Sequence, residues 1–167
     1  SPGTEAAPDK TTDESGRIQP HQAASESALR IGVFVCRCGT NIAGVIDTAD
    51  VARWVKQFPD VAYAAENLFS CSTDATIRMA RIIQEKGLNR IVVAACSPRS
   101  HLPVFQEVLA KAGLPPGYVR MVNIREQCSW VHADRPHEAL VKAKALLAGA
   151  LAHVRAARAA PPMALPI

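Results

Sequence analysis

The sequence predicts an α/β protein built on a small, doubly wound and mainly parallel four-stranded sheet. Short apolar runs of strand length alternate along the chain with amphipathic segments of helical period, and this alternation favours parallel strands joined by helical crossovers. A polar loop with a cysteine follows each run, and the five cysteines are Cys36, Cys38, Cys71, Cys96 and Cys128. Because the carboxyl ends of parallel strands lie at one edge of a sheet, we expect the five thiols to share that edge.

The first predicted strand is the apolar run Ile31–Val35, which the polar sequence CRCG follows at positions 36–39. Gly39 permits a tight turn there, and residues 40–44 are predicted to form a loop. The first helix is expected to begin at Asp47 or Thr48, either of which can cap it, and Pro59 stops it. Its apolar face consists of Val51, Trp54, Val55 and Phe58.

The second strand lies within Val61–Phe69, although Glu66 and Asn67 interrupt its apolar pattern. The loop around Cys71 supplies capping residues for a second helix, which Gly87 ends. This helix carries five apolar residues, namely Ile77, Met79, Ala80, Ile82 and Ile83.

The third strand, Arg90–Ala95, is the clearest buried strand in the sequence. A third helix follows at about residues 100–112, and the fourth strand comes at Val119–Ile124. Asp134 is expected to cap a long last helix with Pro136 in its first turn. Four strands and four helices in this order are typical of a small Rossmann-like or flavodoxin-like sheet.

Composition divides the chain into three parts. Residues 1–28 are polar and lack apolar periodicity, so they are predicted to be a disordered tail. Residues 29–158 form the α/β domain, and residues 159–167 form a Pro-rich C-terminal tail.

Charge and hydropathy exclude several classes of protein. The net charge of +4 includes no Lys/Arg block, and aromatic residues make up 5% of the chain, so no nucleic-acid surface is expected. No run of 18 apolar residues predicts a membrane span. An odd number of cysteines without a signal sequence favours reduced thiols and a cytoplasmic location. No glycine-rich phosphate loop is present in the sequence.

The cysteine positions favour a metal or redox site. A cubane 4Fe–4S cluster needs four thiolates, and loops from adjacent strands can supply them one at a time. Cys36 and Cys38 share a side of an extended segment, so either could be a ligand and the other a spare thiol. The alternatives are a zinc-based or thiol-based docking module, a thiol-redox enzyme using Cys36 and Cys38, and cysteines that serve only as small buried hydrophobic residues.

Other side chains are expected beside the thiols. Arg37, Arg99 and Arg125 can offset the negative charge of a thiolate-ligated group, and the helices that begin after Cys71, Cys96 and Cys128 present positive ends. His101 and His132 are possible ligands, although a histidine near a helix start is more often a hydrogen-bonding residue. Trp130 is expected to shield the site from water. No residue is predicted to be catalytic.

Four segments of the chain carry a family resemblance: VCRCGTNIAGVID at 35–47, NLFSCSTD at 67–74, RIVVAACSPRSHLPVFQEVL at 90–109 and NIREQCSWVHAD at 123–134. In this order they resemble the N-terminal domain of the A subunit of heterodisulfide reductase, over about residues 30–157. The family often has histidine where this chain has Arg37. No dinucleotide-binding glycine motif follows the resembling region.

The resemblance implies an iron–sulfur domain of an electron-transfer flavoprotein in anaerobic metabolism. It implies one cluster, most simply 4Fe–4S, held by cysteines among the five. FAD is expected only in a neighbouring domain or subunit, where such assemblies split or combine electron pairs. Further iron–sulfur subunits are the expected partners. By itself the chain is then an electron relay rather than a complete enzyme.

Overall fold

The computed structural model describes residues 28–158. Its strands are β1 (Ile31–Cys36), β2 (Val61–Asn67), β3 (Arg90–Ala95) and β4 (Val119–Asn123). Its α-helices are α1 (Thr40–Ala43), α2 (Thr48–Val55), α3 (Thr73–Glu85), α4 (Pro98–Lys111) and α5 (Pro136–Ala156). A 3₁₀ turn spans Pro116–Tyr118 and a π-helical turn spans Arg125–Ser129. The two predicted tails lie outside the described residues, except for Ala28.

The four strands form one parallel sheet in the order β2-β1-β3-β4. Every residue of β1 and β3 is buried, which explains why their sequences are continuous apolar runs. Cys36 at the end of β1 pairs with Asn67 of β2, and Ala95 at the end of β3 pairs with Asn123 of β4. The carboxyl ends of all four strands are therefore level with one another.

Helices cover both faces of the sheet, so the predicted doubly wound fold is confirmed. Alternate residues of β1 point to opposite sides: Val33 and Val35 pack with α2 and α5, whereas Phe34 and Cys36 pack with α3 and α4. Burying each such valine or phenylalanine stabilises the fold by roughly 1.5–3 kcal/mol before chain entropy is counted. We call these two cores the α2/α5 core and the α3/α4 core.

The starts of α2 and α3 follow their predicted chemistry, whereas α4 begins at Pro98, ahead of its predicted start near residue 100. The carboxylate of Asp47 accepts a hydrogen bond from the Asp50 N–H at the start of α2. Ser72 caps α3 and Ser97 caps α4 through their hydroxyl oxygens. Because these serines directly follow Cys71 and Cys96, both helices point their N-terminal ends at the cysteine edge.

The capping prediction for Asp134 is wrong. Arg135 occupies the N-cap of α5, and no side chain there accepts a capping hydrogen bond. The π-helical turn and the turns after it bring the chain into α5 one residue later than expected. Asp134 instead pairs with the guanidinium of Arg135 at 3.5 Å.

Other differences are local. Residues 40–43 form the short helix α1 rather than a loop. In α3, Met79 and Ile83 are buried, but Ile77 is 65% exposed. The second strand ends at Asn67, which leaves Leu68 and Phe69 in the loop that carries Cys71.

Asn89 and Arg90 hold both ends of the described chain at the start of β3. The Asn89 amide donates to the Ala28 carbonyl at 3.0 Å and accepts from the Arg30 N–H at 2.9 Å. The Arg90 guanidinium, which stacks on the Tyr118 ring at 3.6 Å, donates to the carbonyls of Val154 and Ala157. Both chain ends therefore lie at the edge of the sheet opposite the cysteines.

None of the helices in residues 28–158 is long and apolar enough to cross a membrane.

Candidate thiol-rich metal centre

All five cysteines are free thiols, and the predicted placement at the carboxyl ends of the strands is confirmed. Cys36 is the last residue of β1, and Cys96 directly follows β3. Cys71 lies in the loop after β2, and Cys128 lies in the π-helical turn after β4. Their burial differs: Cys71 is exposed, Cys38 is half-buried, and the other three are buried.

Cys36, at the end of β1, lies against the loop that carries Cys71. The Ser70 N–H donates to the Cys36 Sγ at 3.4 Å, and the thiol faces the Leu68 carbonyl at 3.9 Å. Burial raises the pKa of the Cys36 thiol, and the Ser70 hydrogen bonds partly oppose that rise. The buried thiol thus has an N–H donor that would favour its thiolate form.

Cys38 and Gly39 form a turn with unusual backbone geometry. Cys38 has a φ of 46° and Gly39 a φ of 56° with ψ of −131°. The left-handed region is uncommon for a residue with a side chain and costs of order 1 kcal/mol or more. The turn is held by the Cys38 N–H bonded to the Leu68 carbonyl at 3.0 Å and by the Asn41 N–H bonded to the Cys38 carbonyl at 3.1 Å. It places the Cys38 side chain against both cores.

Arg125 brings a permanent positive charge among the thiols. Its Nη1 lies 3.6 Å from the Cys38 Sγ, and its Nη2 donates to Glu126 Oε1 at 2.8 Å. Hydrogen bonding to Glu126 and to Cys38 raises the pKa of Arg125 above its ordinary value. Burial works to raise the pKa of Glu126, but the Arg125 hydrogen bond and charge bring it below the ordinary value. Both groups are therefore ionised at neutral pH.

The other two arginines lie farther out. Arg37 is half-exposed and pairs with Glu66 at 3.6 Å. Arg99 is exposed on the first turn of α4 and forms no ion pair with any described residue. Of the three predicted arginines, only Arg125 contacts a thiol within residues 28–158.

Cys96 forms a close pair with a histidine. Its Sγ lies 3.2 Å from Nδ1 of His101, on the first turn of α4. Burial raises the pKa of Cys96, the Arg125 charge lowers it, and charge on Cys71 raises it again. His101 is therefore placed as a hydrogen-bonding partner of a thiol.

Cys128 has different surroundings. It is fully buried within the α2/α5 core, and its thiol faces its own chain at the Asn123 carbonyl, 3.9 Å away. Burial raises its pKa, and the charge that opposes this rise belongs to Lys142 of α5. His132, the other predicted histidine, lies with Nε2 3.9 Å from a Glu138 carboxylate oxygen.

Residues that sequence reasoning missed complete this edge. The sequence gives no signal for the contact of the Ser70 N–H with the Cys36 Sγ, because the two residues lie 34 positions apart in the chain. The exposure of Leu68 and Phe69 does have a signal in the sequence, because they directly follow Glu66 and Asn67, the polar pair that ends β2. Leu68 is 60% exposed and Trp130 is 53% exposed. Trp130 lies with its ring 5.0 Å from the Arg125 guanidinium.

The donor set fits an iron–sulfur cluster or another soft metal centre. Thiolates favour such centres, and N–H donors with a nearby cation offset their charge. Within residues 28–158, the buried side-chain atoms without a hydrogen-bond partner all lie in the loops after β2 and β4, namely Ser70 Oγ, Arg125 Nε, Glu126 Oε2 and His132 Nδ1. In that same part of the chain, no three His, Cys, Asp or Glu side chains are already grouped closely enough to hold a metal ion.

Comparison with known proteins identifies relatives of this chain. It is 47% identical over 131 residues to an iron–sulfur A subunit of the CoB–CoM heterodisulfide reductase of Methanopyrus kandleri, a match that covers 78% of this chain and 20% of that protein. It is 48% identical over 127 residues to the A subunit of a CoB–CoM heterodisulfide reductase of Methanosarcina acetivorans, covering 76% of the chain and 16% of the relative. The chain is a homologue of a domain of the heterodisulfide reductase A subunit.

Further relatives agree with this assignment. The A subunit of the ferredoxin:CoB–CoM heterodisulfide reductase of Methanosarcina mazei is 46% identical over 127 residues, which is 76% of this chain and 16% of that protein. No family model matches the chain. The chain thus spans about a fifth or less of the length of the heterodisulfide reductase proteins it matches.

Proposed function

We propose that this chain is an electron-relay domain that binds one iron–sulfur cluster of the 4Fe–4S type. It passes electrons to or from a flavin in a neighbouring domain or subunit of a heterodisulfide-reductase-like complex. The five cysteines, Cys36, Cys38, Cys71, Cys96 and Cys128, are the candidate ligands. Further iron–sulfur subunits are the proposed partners, and the free thiols suit a reducing cytoplasm.

One observation carries the proposal: a partly buried, permanently charged arginine contacts a thiol at the edge of the sheet where the loops carrying the other cysteines end. Arg125 contacts the Cys38 Sγ at 3.6 Å and also acts on Cys96, where its charge lowers the thiol pKa. A thiolate-ligated cluster carries net negative charge, which a fixed cation and N–H donors stabilise. The Methanopyrus kandleri relative is named an iron–sulfur subunit, and this relationship supports the same assignment.

A second candidate is a docking module whose thiols hold zinc or no metal. The exposed apolar side chains at the cysteine edge favour it, since Leu68, Phe69, Trp130 and Val131 are each about half exposed or more. The third candidate, a thiol-redox enzyme using Cys36 and Cys38, fits less well. Burial raises the pKa of Cys36, which reduces the thiolate fraction needed for attack.

Anaerobic purification followed by metal and sulfide analysis separates these candidates. We expect iron and acid-labile sulfide in equal amounts, about four of each per chain for a cubane cluster, and a broad visible absorption that bleaches on reduction. Zinc without sulfide would favour the docking module. A metal-free chain that takes up no iron and sulfide during anaerobic reconstitution would contradict the proposed relay.

A further inference from the structure

We infer that two copies of this chain pair through β4 in antiparallel orientation, so that their two sheets join into one and their α5 helices lie side by side. β4 is an edge strand, because the strands lie in the order β2-β1-β3-β4. An edge strand presents unpaired backbone N–H and C=O groups, which a strand of another chain can bond. The pairing is independent of the proposed iron–sulfur site.

One hydrogen bond defines which backbone groups of β4 lie on its open side. The Ile124 N–H, directly after β4, donates to the Ala95 carbonyl at 2.8 Å, so Ile124 points its backbone groups toward β3. Because these groups alternate in direction along a strand, those of Met121 in the middle of β4 point away from β3. β3 is the only strand beside β4 within residues 28–158, so the Met121 N–H and C=O have no partner strand there.

A groove of about 410 Å³ runs along this edge between β4 and α5, and Ala145 and Gly149 of α5 form part of its wall. Glycine is less favourable than alanine inside a helix. A Cβ added at Gly149 would nevertheless meet nothing within 4 Å outside the backbone of its own helix. Nothing inside the described domain therefore requires a glycine at this position, whereas the close approach of a second helix would.

The two ends of the groove carry complementary polar groups. Arg120 and His153 line it toward the amino end of β4, and Asn123 and Gln127 line it toward the carboxyl end. A twofold axis beside Met121 places the amino end of each groove against the carboxyl end of the other, so the guanidinium of one copy faces the side-chain amides of its mate. The same arrangement keeps the two Arg120 side chains from lying directly opposite each other, where like charges would destabilise the pair.

The flank of the domain at β4 is large enough for a stable dimer. α4 and α5 both pack against β4, one on each face of the sheet. Because α5 has 21 residues, it is about 31 Å long, and with a helix about 10 Å across on each side of the strand the flank is roughly 25 Å thick. These dimensions give roughly 750 Å² per copy, close to the ~800 Å² that each partner buries in a standard interface.

A strand supplied by the residues after α5 fits the open edge less well. Crossovers between parallel strands are right-handed in nearly all proteins. The crossover from β1 to β2 passes through α2, on the same face as α5, and moves away from β4. A crossover through α5 to a strand beyond β4 would move the other way from the same face and would be left-handed. This favours a strand from another molecule, and the self-complementary groove favours a second copy.

Sedimentation velocity of the 167-residue chain tests the pairing. It is run anaerobically with a reductant, because the exposed Cys71 thiol can otherwise cross-link two copies. Concentrations from about 1 to about 100 µM cover the weak end of the affinities known for interfaces of this size. Gly149→Arg places a bulky side chain in the groove, and Ala62→Arg adds the same charge at an exposed position of β2, the opposite edge strand. Far-UV circular dichroism reports whether each variant is folded.

We expect the parent and Ala62→Arg to form dimers over this range, and Gly149→Arg to raise the dissociation constant at least about tenfold. Hydrogen exchange measured by NMR should be slow at the Met121 amide in the parent dimer and faster in Gly149→Arg. A parent chain that stays monomeric would overturn the pairing, and so would a folded Gly149→Arg that associates like the parent. In a monomeric parent, slow exchange at Met121 would identify another part of the same chain as the occupant of the edge.

Discussion

Arg125 is the charged side chain that contacts a thiol within the described residues, and its charge should set the reduction potential of the site. The reduced form of a cluster carries one more negative charge than the oxidised form. At an effective dielectric constant of about 20 and about 8 Å, one positive charge stabilises that form by roughly 2 kcal/mol, and solvent screening halves this. We therefore expect Arg125→Gln to lower the potential by about 40 mV, since 59 mV corresponds to about 1.4 kcal/mol.

Redox titration monitored by electron paramagnetic resonance measures this shift. Arg125→Lys keeps the charge and should stay close to the parent potential. Arg37→Gln and Arg99→Gln should shift it less, because Arg37 is half-exposed and paired with Glu66, and Arg99 is exposed. An unchanged potential in Arg125→Gln would show that the arginine serves its Glu126 pair or a partner rather than the cluster.

Sequence reasoning finds the cysteines but not their surroundings. The thiols are predictable because each follows a strand whose end the apolar pattern marks. The contact between Arg125 and Cys38 joins residues 87 positions apart in the chain, and it depends on the left-handed backbone of Cys38, which no local signal indicates. The strand pattern predicts all five thiols at one edge of the sheet. It does not indicate that Cys128 is buried in the α2/α5 core, whereas Cys36 and Cys96 are buried in the α3/α4 core.

At the scale of the elements, the last helix is tied to the start of β2 by an ion pair. The Arg155 guanidinium of α5 donates to both carboxylate oxygens of Asp60, at 2.8 Å for Nη2 and Oδ1. This hydrogen bonding lowers the pKa of Asp60. A carboxylate with a lowered folded-state pKa stabilises the fold above its unfolded pKa and loses that contribution as the pH falls through the folded value.

We expect Arg155→Gln to reduce the free energy of unfolding by about 1 kcal/mol at neutral pH, a value discounted for the partial exposure of the pair. The difference from the parent should shrink below the ordinary Asp pKa of 3.8. Urea denaturation at neutral and acidic pH measures both. Arg81→Gln is a matched control, because its pair with Glu85 is exposed on both sides. A loss in Arg155→Gln that is the same at both pH values would show that packing, not the ion pair, is responsible.

The elements themselves were largely predictable from local chemistry. The continuous apolar run predicted the bounds of β3. Helix-capping residues and terminal glycines placed α3 and α4 within two residues of their observed starts or ends. Prediction failed where neighbouring structure decides. The start of α5 depends on the preceding π-helical turn, and the exposure of Ile77 depends on where α4 packs against α3.

For the whole molecule, the described domain should be stable without the N-terminal segment. Residues 1–27 are polar and offer no apolar face to bury, and a chain starting at Ala28 keeps the carbonyl that Asn89 binds. We expect the truncated chain to keep the melting temperature and iron content of the full chain. Thermal unfolding and iron analysis check this. A loss of more than about 1 kcal/mol would show that the segment packs on the domain.

The contacts that Asn89 and Arg90 make with the two ends of the described chain have a practical consequence for longer proteins that contain this domain. The two residues bind the carbonyls of Ala28 and Ala157, near the two ends of the described chain, at the edge of the sheet away from the thiols. A fusion partner, affinity label or further domain joined directly at Ala28 or Ala157 would therefore start on the far side from the cysteines. The unit can be grafted into a longer polypeptide with its thiol edge still accessible to another protein.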